Sequence, residues 1–217
     1  MAGKIYAVLT TDIVNSRKIS DFRKKRDQKL NPISKLHLQQ KLIISDYAVT
    51  AWDEFEVILT HVVHIPQIII DLRRFFFPMQ LWIAVGIGQV SEPYKVPVNV
   101  FSGGEAFERA RTASEFLKKE TARFRRLTQF SSNTHDFDQT ANTIYLLQDT
   151  LLHSTSLRQW QTINAFIATG SQELTAKKMK LDQSTVSRNL RRAYYWQIEE
   201  TQKTIRVLLE HHFGSLK

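Results

Sequence analysis

The chain has 217 residues, of which 42% are hydrophobic and 24% charged, and a net charge of +9. That composition suits one large domain or two small ones and excludes a disordered chain. The absence of cysteine excludes disulfides, thiolate metal sites and cysteine nucleophiles.

The opening residues MAGKIYAVLT carry an apolar run too short for a signal peptide, and no apolar stretch is long enough to span a bilayer. A cytoplasmic protein with no membrane partner is the expectation. Residues 4–11 (KIYAVLTT) form a β-branched and aromatic run, read as a buried strand ending at Asp12. A helix follows from near Ser20, with Arg23, Lys24, Lys25, Arg26 and Lys29 on a charged face. Asn31-Pro32 breaks it, or begins a second helix ending near Lys41. Residues 43–50 and 54–59 read as two strands of a hairpin joined by Ala51-Trp52-Asp53.

Residues 65–77 predict a helix with Pro66 in its first turn and Ile68, Ile69, Leu72, Phe75 and Phe76 facing a core. Residues 81–90 (LWIAVGIGQV) predict a strand whose Gly86 and Gly88 admit a close neighbour. Pro93 and Pro97 mark a loop through Ser102-Gly103-Gly104, followed by an amphipathic helix over 105–119 and an edge strand over 121–130. Residues 131–138 read as a linker. Residues 141–153 read as a helix with Ile144, Leu147 and Leu151 inward. The first helix of a tri-helical unit spans 157–168 and closes at Thr169-Gly170.

Residues 171–193 (SQELTAKKMKLDQSTVSRNLRRA) then read as a helix-turn-helix. Thr175, Ala176 and Met179 share one face, Lys180-Leu181-Asp182 interrupts, and Asp182 is placed to cap the next helix through its carboxylate. The turn usually has glycine where Lys180 sits, because a positive φ strains other residues. In the second helix Val186 and Leu190 point inward. Gln183, Ser184, Thr185, Ser187, Arg188 and Asn189 face outward, with hydroxyls and an amide for base edges and phosphates and an arginine able to grip guanine. From Gln183 to His212 there is no Gly or Pro, so this helix is expected to run on, with or without a kink, into a long C-terminal helix.

Charge supports that reading. Residues 151–217 hold ten Lys/Arg against five Asp/Glu, and Lys177, Lys178, Lys180, Arg188, Arg191 and Arg192 crowd around the second helix. The pattern resembles the helix-turn-helix of bacterial transcription factors. Double-stranded DNA is the expected partner, and a homodimer would supply a second half-site.

The first half has its own chemistry. The order β, α, β-hairpin, α, β, α, β is that of a palm-like, ferredoxin-type sheet. In such a sheet Asp12, at the end of the first strand, lies beside Asp53, at the hairpin tip. Two carboxylates there make a candidate site for Mg²⁺ or Mn²⁺, although nothing in the sequence obliges a cofactor. Glu54 and Glu56 are further candidates, with alternation placing Glu54 on the opposite face from Asp53. Gly103 and Gly104 could offer amides to a phosphate.

YAVLTTDIVNSR resembles the first strand of class III nucleotidyl cyclases, which ends in a metal-binding aspartate. AWDEFE is similar to their second metal-binding hairpin and to the GGDEF signature of diguanylate cyclases, and LWIAVGIGQV to the strand that follows. GGEAFERARTASEF resembles the helix carrying the cyclase asparagine and arginine, with Arg111 matching the arginine and Phe107 standing where the asparagine would be. All these blocks, followed by a helix-turn-helix, resemble the SatD family of bacterial proteins over nearly the whole chain.

The resemblance implies an α+β fold: a ferredoxin-like palm sheet with helices on one face (1–130), a connecting loop and helix (131–153), and an all-α helix-turn-helix domain with a long C-terminal helix (154–217). It implies a DNA-binding regulator whose degenerate cyclase-like domain senses or dimerises, with no catalytic residue assigned. Two alternatives stay open. One is a metal-dependent enzyme using Asp12, Asp53 and Arg111 on a nucleotide. The other is a protein-interaction module with a pseudo-active site.

Overall fold

The computed structural model describes residues 4–93 and 103–214. Pro97 and Ser102 of the expected loop lie outside them. The chain is a mixed α/β protein. Among the described residues five strands occur: β1 (Ile5–Ile13), β2 (Ala48–Val49), β3 (Glu54–Ile58), β4 (Leu81–Gln89) and β5 (Thr128–Ser131). They form one sheet in the order β2-β3-β1-β4-β5, antiparallel except for the parallel β4-β5 pair.

Alternation along the strands serves two faces. Ala7, Leu9 and Ile13 of β1, with Ile83, Val85 and Ile87 of β4, enter a core shared with α1 (Phe22–Gln39) and α2 (Ile65–Phe76). Tyr6 and Val8 point the other way and meet Ala106 and Ala110 of α3 (Glu105–Phe124). The expectation of helices on one face is therefore corrected: α3 covers the opposite face. Glycine permits this contact. A Cβ on Gly86 would lie 1.9 Å from the Ala106 carbonyl oxygen. The close neighbour expected at Gly86 is therefore α3.

Other boundaries move for physical reasons. Pro32 lies inside α1 and does not break it. A mid-helix proline costs about 3 kcal/mol, but Leu30 and Ile33 on either side of it are buried in the core. The charged face of α1 is partly engaged. Arg26 is buried and donates to the Trp52 carbonyl, and the Lys29 ammonium donates to the carbonyls of Phe75 and Phe77. The first hairpin strand shrinks to β2 and an Ile43–Leu59 bridge. The edge strand expected over 121–130 is instead the end of α3 followed by the short β5.

The expected linker over 131–138 shrinks likewise, because α4 (His135–His153) already begins within it. The inward face of α4 is rotated from the expected one. Phe137, Ala141, Tyr145 and Leu152 are buried, while Leu147 is 63% exposed. Polar residues set this face. Asn142 exchanges hydrogen bonds with the backbone of Phe130 in β5 (2.7 and 3.0 Å), and Asp149 joins a buried network.

The rest is helical: α5 (Leu157–Thr169), α6 (Gln172–Met179), α7 (Gln183–Arg192) and α8 (Tyr195–Phe213). Gly170 ends α5 with φ 66°, as the sequence suggested. The helix expected to run on from Gln183 is broken rather than kinked, because Tyr194 takes φ 54° and separates α7 from α8, the long C-terminal helix. No Gly or Pro signals this break. It lets Ala193 and Ile198 pack with Trp160, while Ile205, Leu209 and Phe213 of α8 join the sheet core. Among the described residues no helix is long and apolar enough to cross a membrane.

Candidate functional site

Two regions gather the chemistry, and the first is where β1 and β3 meet near the hairpin. Their antiparallel register pairs Thr10 with Glu56 and Asp12 with Glu54. Asp12 and Thr10 share the α3 side with Tyr6 and Val8, so Thr10, Asp12 and their cross-strand partners Glu56 and Glu54 face α3. The Thr10 hydroxyl donates to Glu56 Oε1 at 2.7 Å. Lys118 reaches across from α3, placing Nζ 2.7 Å from Asp12 Oδ2 and 3.7 Å from Glu54 Oε2. Asp53 lies just before β3. Its carbonyl accepts from the Ile13 amide at 3.1 Å, and its carboxylate accepts from the Ser16 hydroxyl. Asp12 and Asp53 therefore sense each other's charge, but the direct partners of Asp12 are Lys118 and, across the strands, Glu54.

Burial pushes the Asp12 carboxyl above its ordinary value, reinforced by the charges of Asp53 and Glu54 and only partly offset by Lys118. Partial burial works against the Lys118 ammonium, but its hydrogen bond to Asp12 and the charges of Asp12, Glu54 and Asp53 outweigh it and raise its pKa. The two ends of one contact differ because the Asp12 side chain is 10% exposed and that of Lys118 is 44% exposed. The carboxylate loses more water than the pair returns.

Beside this pair lies a cleft of about 510 Å³ lined by Thr10, Thr50, Glu54, Glu56, Phe107, Glu108, Arg111, Ser114, Glu115 and Lys118. The α3 members fall on one helical face, at i, i+1, i+4, i+7, i+8 and i+11 from Phe107. Arg111 lies at the rim, its side chain 85% exposed and 3.8 Å from Glu115, while Phe107 fills the wall. Arg109 turns away to Glu105 and to the Ile87 carbonyl. The Gly103 amide is already taken by the Ser91 hydroxyl at 3.2 Å. Gly104, at φ 111°, starts α3 through its carbonyl.

Burial also raises the Glu56 carboxyl, against the Thr10 hydrogen bond that favours its charged form. A carboxyl with a raised folded pKa costs stability above that pKa, and the cost fades as pH falls to its ordinary value. Glu56→Gln is therefore expected to raise the melting temperature more at pH 7 than at pH 4. A gain independent of pH would contradict this placement of the charge.

Carboxylates are the right donors for Mg²⁺ or Mn²⁺. Their arrangement, however, does not fit one, because the Lys118 ammonium holds the space in front of Asp12 and Ser16 holds Asp53. Among the described residues no group of three or more His, Cys, Asp or Glu is arranged to hold a metal ion.

The second region is α6-α7. Lys180 takes φ 54° and ψ 51°, and the Leu181 amide donates to the Ala176 carbonyl at 2.9 Å, closing α6. A lysine in this conformation costs about 1–2 kcal/mol. Lys180→Gly is expected to raise the unfolding free energy by about 0.5–1 kcal/mol, less than the full strain because glycine gains unfolded-state entropy. Denaturant titration reads this directly, and a loss would show the turn to be unstrained.

The Asp182 carboxylate makes no capping bond, contrary to expectation. The helix start is formed by backbone instead, with the Asp182 carbonyl accepting from Thr185 and Val186. Val186 and Leu190 are fully buried. Gln183, Ser184, Arg188, Arg191 and Arg192 are exposed on α7, and Lys177 and Lys178 on α6. Thr185 and Ser187 are half-buried, and Thr185 accepts from Arg188 at 3.1 Å. Asn189 faces inward, donating to Thr162 Oγ1 of α5 at 3.1 Å, so it serves the helix packing.

The family model of the SatD family matches residues 6–204, from β1 into α8, and so takes in both regions. The chain belongs to the SatD family. No curated protein and no solved structure matches it. Within this SatD-family chain, the sequence singles out Asp12 and pairs it with Asp53 ahead of Glu54, but does not bring Lys118 to it. The signal for Lys118 was available: it continues the helical face of Phe107, Arg111 and Ser114.

Proposed function

We propose that this SatD-family chain is a cytoplasmic DNA-binding regulator. Residues 154–217 read duplex DNA, and the sheet domain over 1–130, joined through 131–153, is a degenerate cyclase-like sensor or dimerisation module. One observation carries the reading. The α7 face with Gln183, Ser184 and Arg188 is open to solvent, while its other face, Val186 and Leu190, is locked into the helical core. Lys177, Lys178, Arg191 and Arg192 flank that open face with the cations that phosphates require. The strand order β2-β3-β1-β4, with β1 antiparallel to both neighbours, supports a ferredoxin-like palm.

Selection from a pool of random duplexes tests it. Enrichment of one motif, in two half-sites about one helical turn apart if the chain dimerises, is expected. Unchanged pool composition would argue for a helix-turn-helix that docks on protein.

An enzyme reading draws on the same cleft, where Arg111 and Lys118 could meet a phosphate. It requires a divalent ion to displace Lys118 from Asp12. Incubation with labelled ATP or GTP and Mn²⁺ is expected to leave both intact, and turnover lost in Asp12→Asn would overturn that expectation.

A further inference from the structure

We infer that Lys118 is a tethered cation standing in the place of a divalent metal ion, so that the Asp12–Glu54 end of the sheet is assembled without one. This concerns the sheet domain alone and holds whether or not the chain binds DNA. Asp12 and Glu54 are cross-strand partners, facing the same helix. Two carboxylates so placed repel each other and need a positive charge between them. Nζ of Lys118 supplies it, at 2.7 Å from one and 3.7 Å from the other.

The arrangement excludes a competitor by simple geometry. Mg²⁺ binds carboxylate oxygen at about 2.0–2.1 Å, and Asp12 Oδ2 already holds an ammonium at hydrogen-bond distance. An incoming ion would have to expel a like charge from the same oxygen. The lysine is also pre-positioned. It lies on α3, which Gly86 lets sink onto the sheet, and Ala113 and Leu117 beside it are packed against Ala84. A free ion must give up water and translational freedom to reach the site, whereas the side chain gives up only rotamers. Of the remaining carboxylates, Asp53 is committed to Ser16 and Glu56 to Thr10, so neither stands ready to complete an ion's coordination.

The site that Lys118 fills should open when the ammonium is removed. The test is Mn²⁺ uptake by the folded, full-length chain, followed through the electron paramagnetic resonance signal of the free ion. Wild type is expected to leave Mn²⁺ free up to about tenfold molar excess. Lys118→Met keeps the apolar stem but not the charge, and is expected to take up one ion per chain, with uptake lost in Lys118→Met/Asp12→Asn. Asp12-dependent uptake by wild type equal to that of the variant would overturn the proposal, as would a folded Lys118→Met that takes up none. If Lys118→Met folds only when Mn²⁺ is present, the ion has replaced the lysine, as proposed. Should it not fold with or without Mn²⁺, Lys118→Met/Asp12→Asn/Glu54→Gln decides by stability. With the repulsion gone it is expected to fold, and its failure to do so would show Lys118 to act by packing and would overturn the proposal.

Discussion

Asp149→Ala is expected to lower the unfolding free energy by about 3–5 kcal/mol, because removing one member of a buried ion pair strands the other. For a chain of this size that is a fall of roughly 6–20 °C in melting temperature. Arg73 of α2 is buried and places Nη2 2.7 Å from Asp149 Oδ1 and 2.6 Å from Thr128 Oγ1. The second Asp149 oxygen accepts from the Leu127 amide at 2.9 Å. One carboxylate thus ties α2, α4 and the start of β5 together. The alanine variant would leave the buried Arg73 charge with only the neutral acceptors Thr128 and the Leu81 carbonyl, and the Leu127 amide without its acceptor, beside an Arg73 Nε that has no hydrogen-bond partner already.

Burial pushes the Asp149 carboxyl above its ordinary value despite Arg73 and its hydrogen bonds. The pair is therefore costly to assemble as well as costly to break. Arg73→Met/Asp149→Leu should accordingly recover most of the loss. Denaturant unfolding of both variants checks the account, and equal destabilisation by the single and double variants would contradict it.

Arg188→Ala should weaken binding to a selected duplex by about 1–3 kcal/mol, a factor of about 5–150, if its guanidinium grips a guanine. Arg188 is exposed and steadied by Thr185 one turn away. It therefore meets a base with part of its freedom already spent. The diagnostic result is loss of preference at one base pair with little change on non-specific DNA. Lys177→Ala and Lys178→Ala should instead weaken all duplexes alike, since they lie on α6, the helix that crosses the phosphate backbone in such a pair. Asn189→Ala should act through stability, because Asn189 is engaged with Thr162.

The sequence disclosed those parts of the fold where apolar period and backbone chemistry agree. β1, α2, β4 and α5 fell close to their expected bounds for that reason. It misled where a polar group is buried for a reason only the fold supplies. Asn142 and Asp149 turn α4 by holding β5, so of the face expected from Ile144, Leu147 and Leu151, Ile144 packs against the core while Leu147 is turned out to solvent. It flagged the positive φ at Lys180 but was silent at Tyr194, where a non-glycine at positive φ separates α7 from α8. At the candidate site, Asp12 stood out as the expected end of β1, which runs one residue further to Ile13, and α7 by the inward pair Val186 and Leu190, although Asn189, read as outward, turns in to Thr162. Lys118 was hidden by its distance along the chain: only the crossing of α3 over the sheet brings it to Asp12.

The salt dependence of duplex DNA binding tests the central claim most directly. If Lys177, Lys178, Arg191 and Arg192 neutralise phosphates, the logarithm of the binding constant should fall linearly with the logarithm of salt concentration. The slope should be about −4, at about −0.9 per phosphate, and shallower by about one when a phosphate-contacting lysine is replaced by alanine. A flat dependence, or no binding even at low salt, would contradict DNA recognition by this chain.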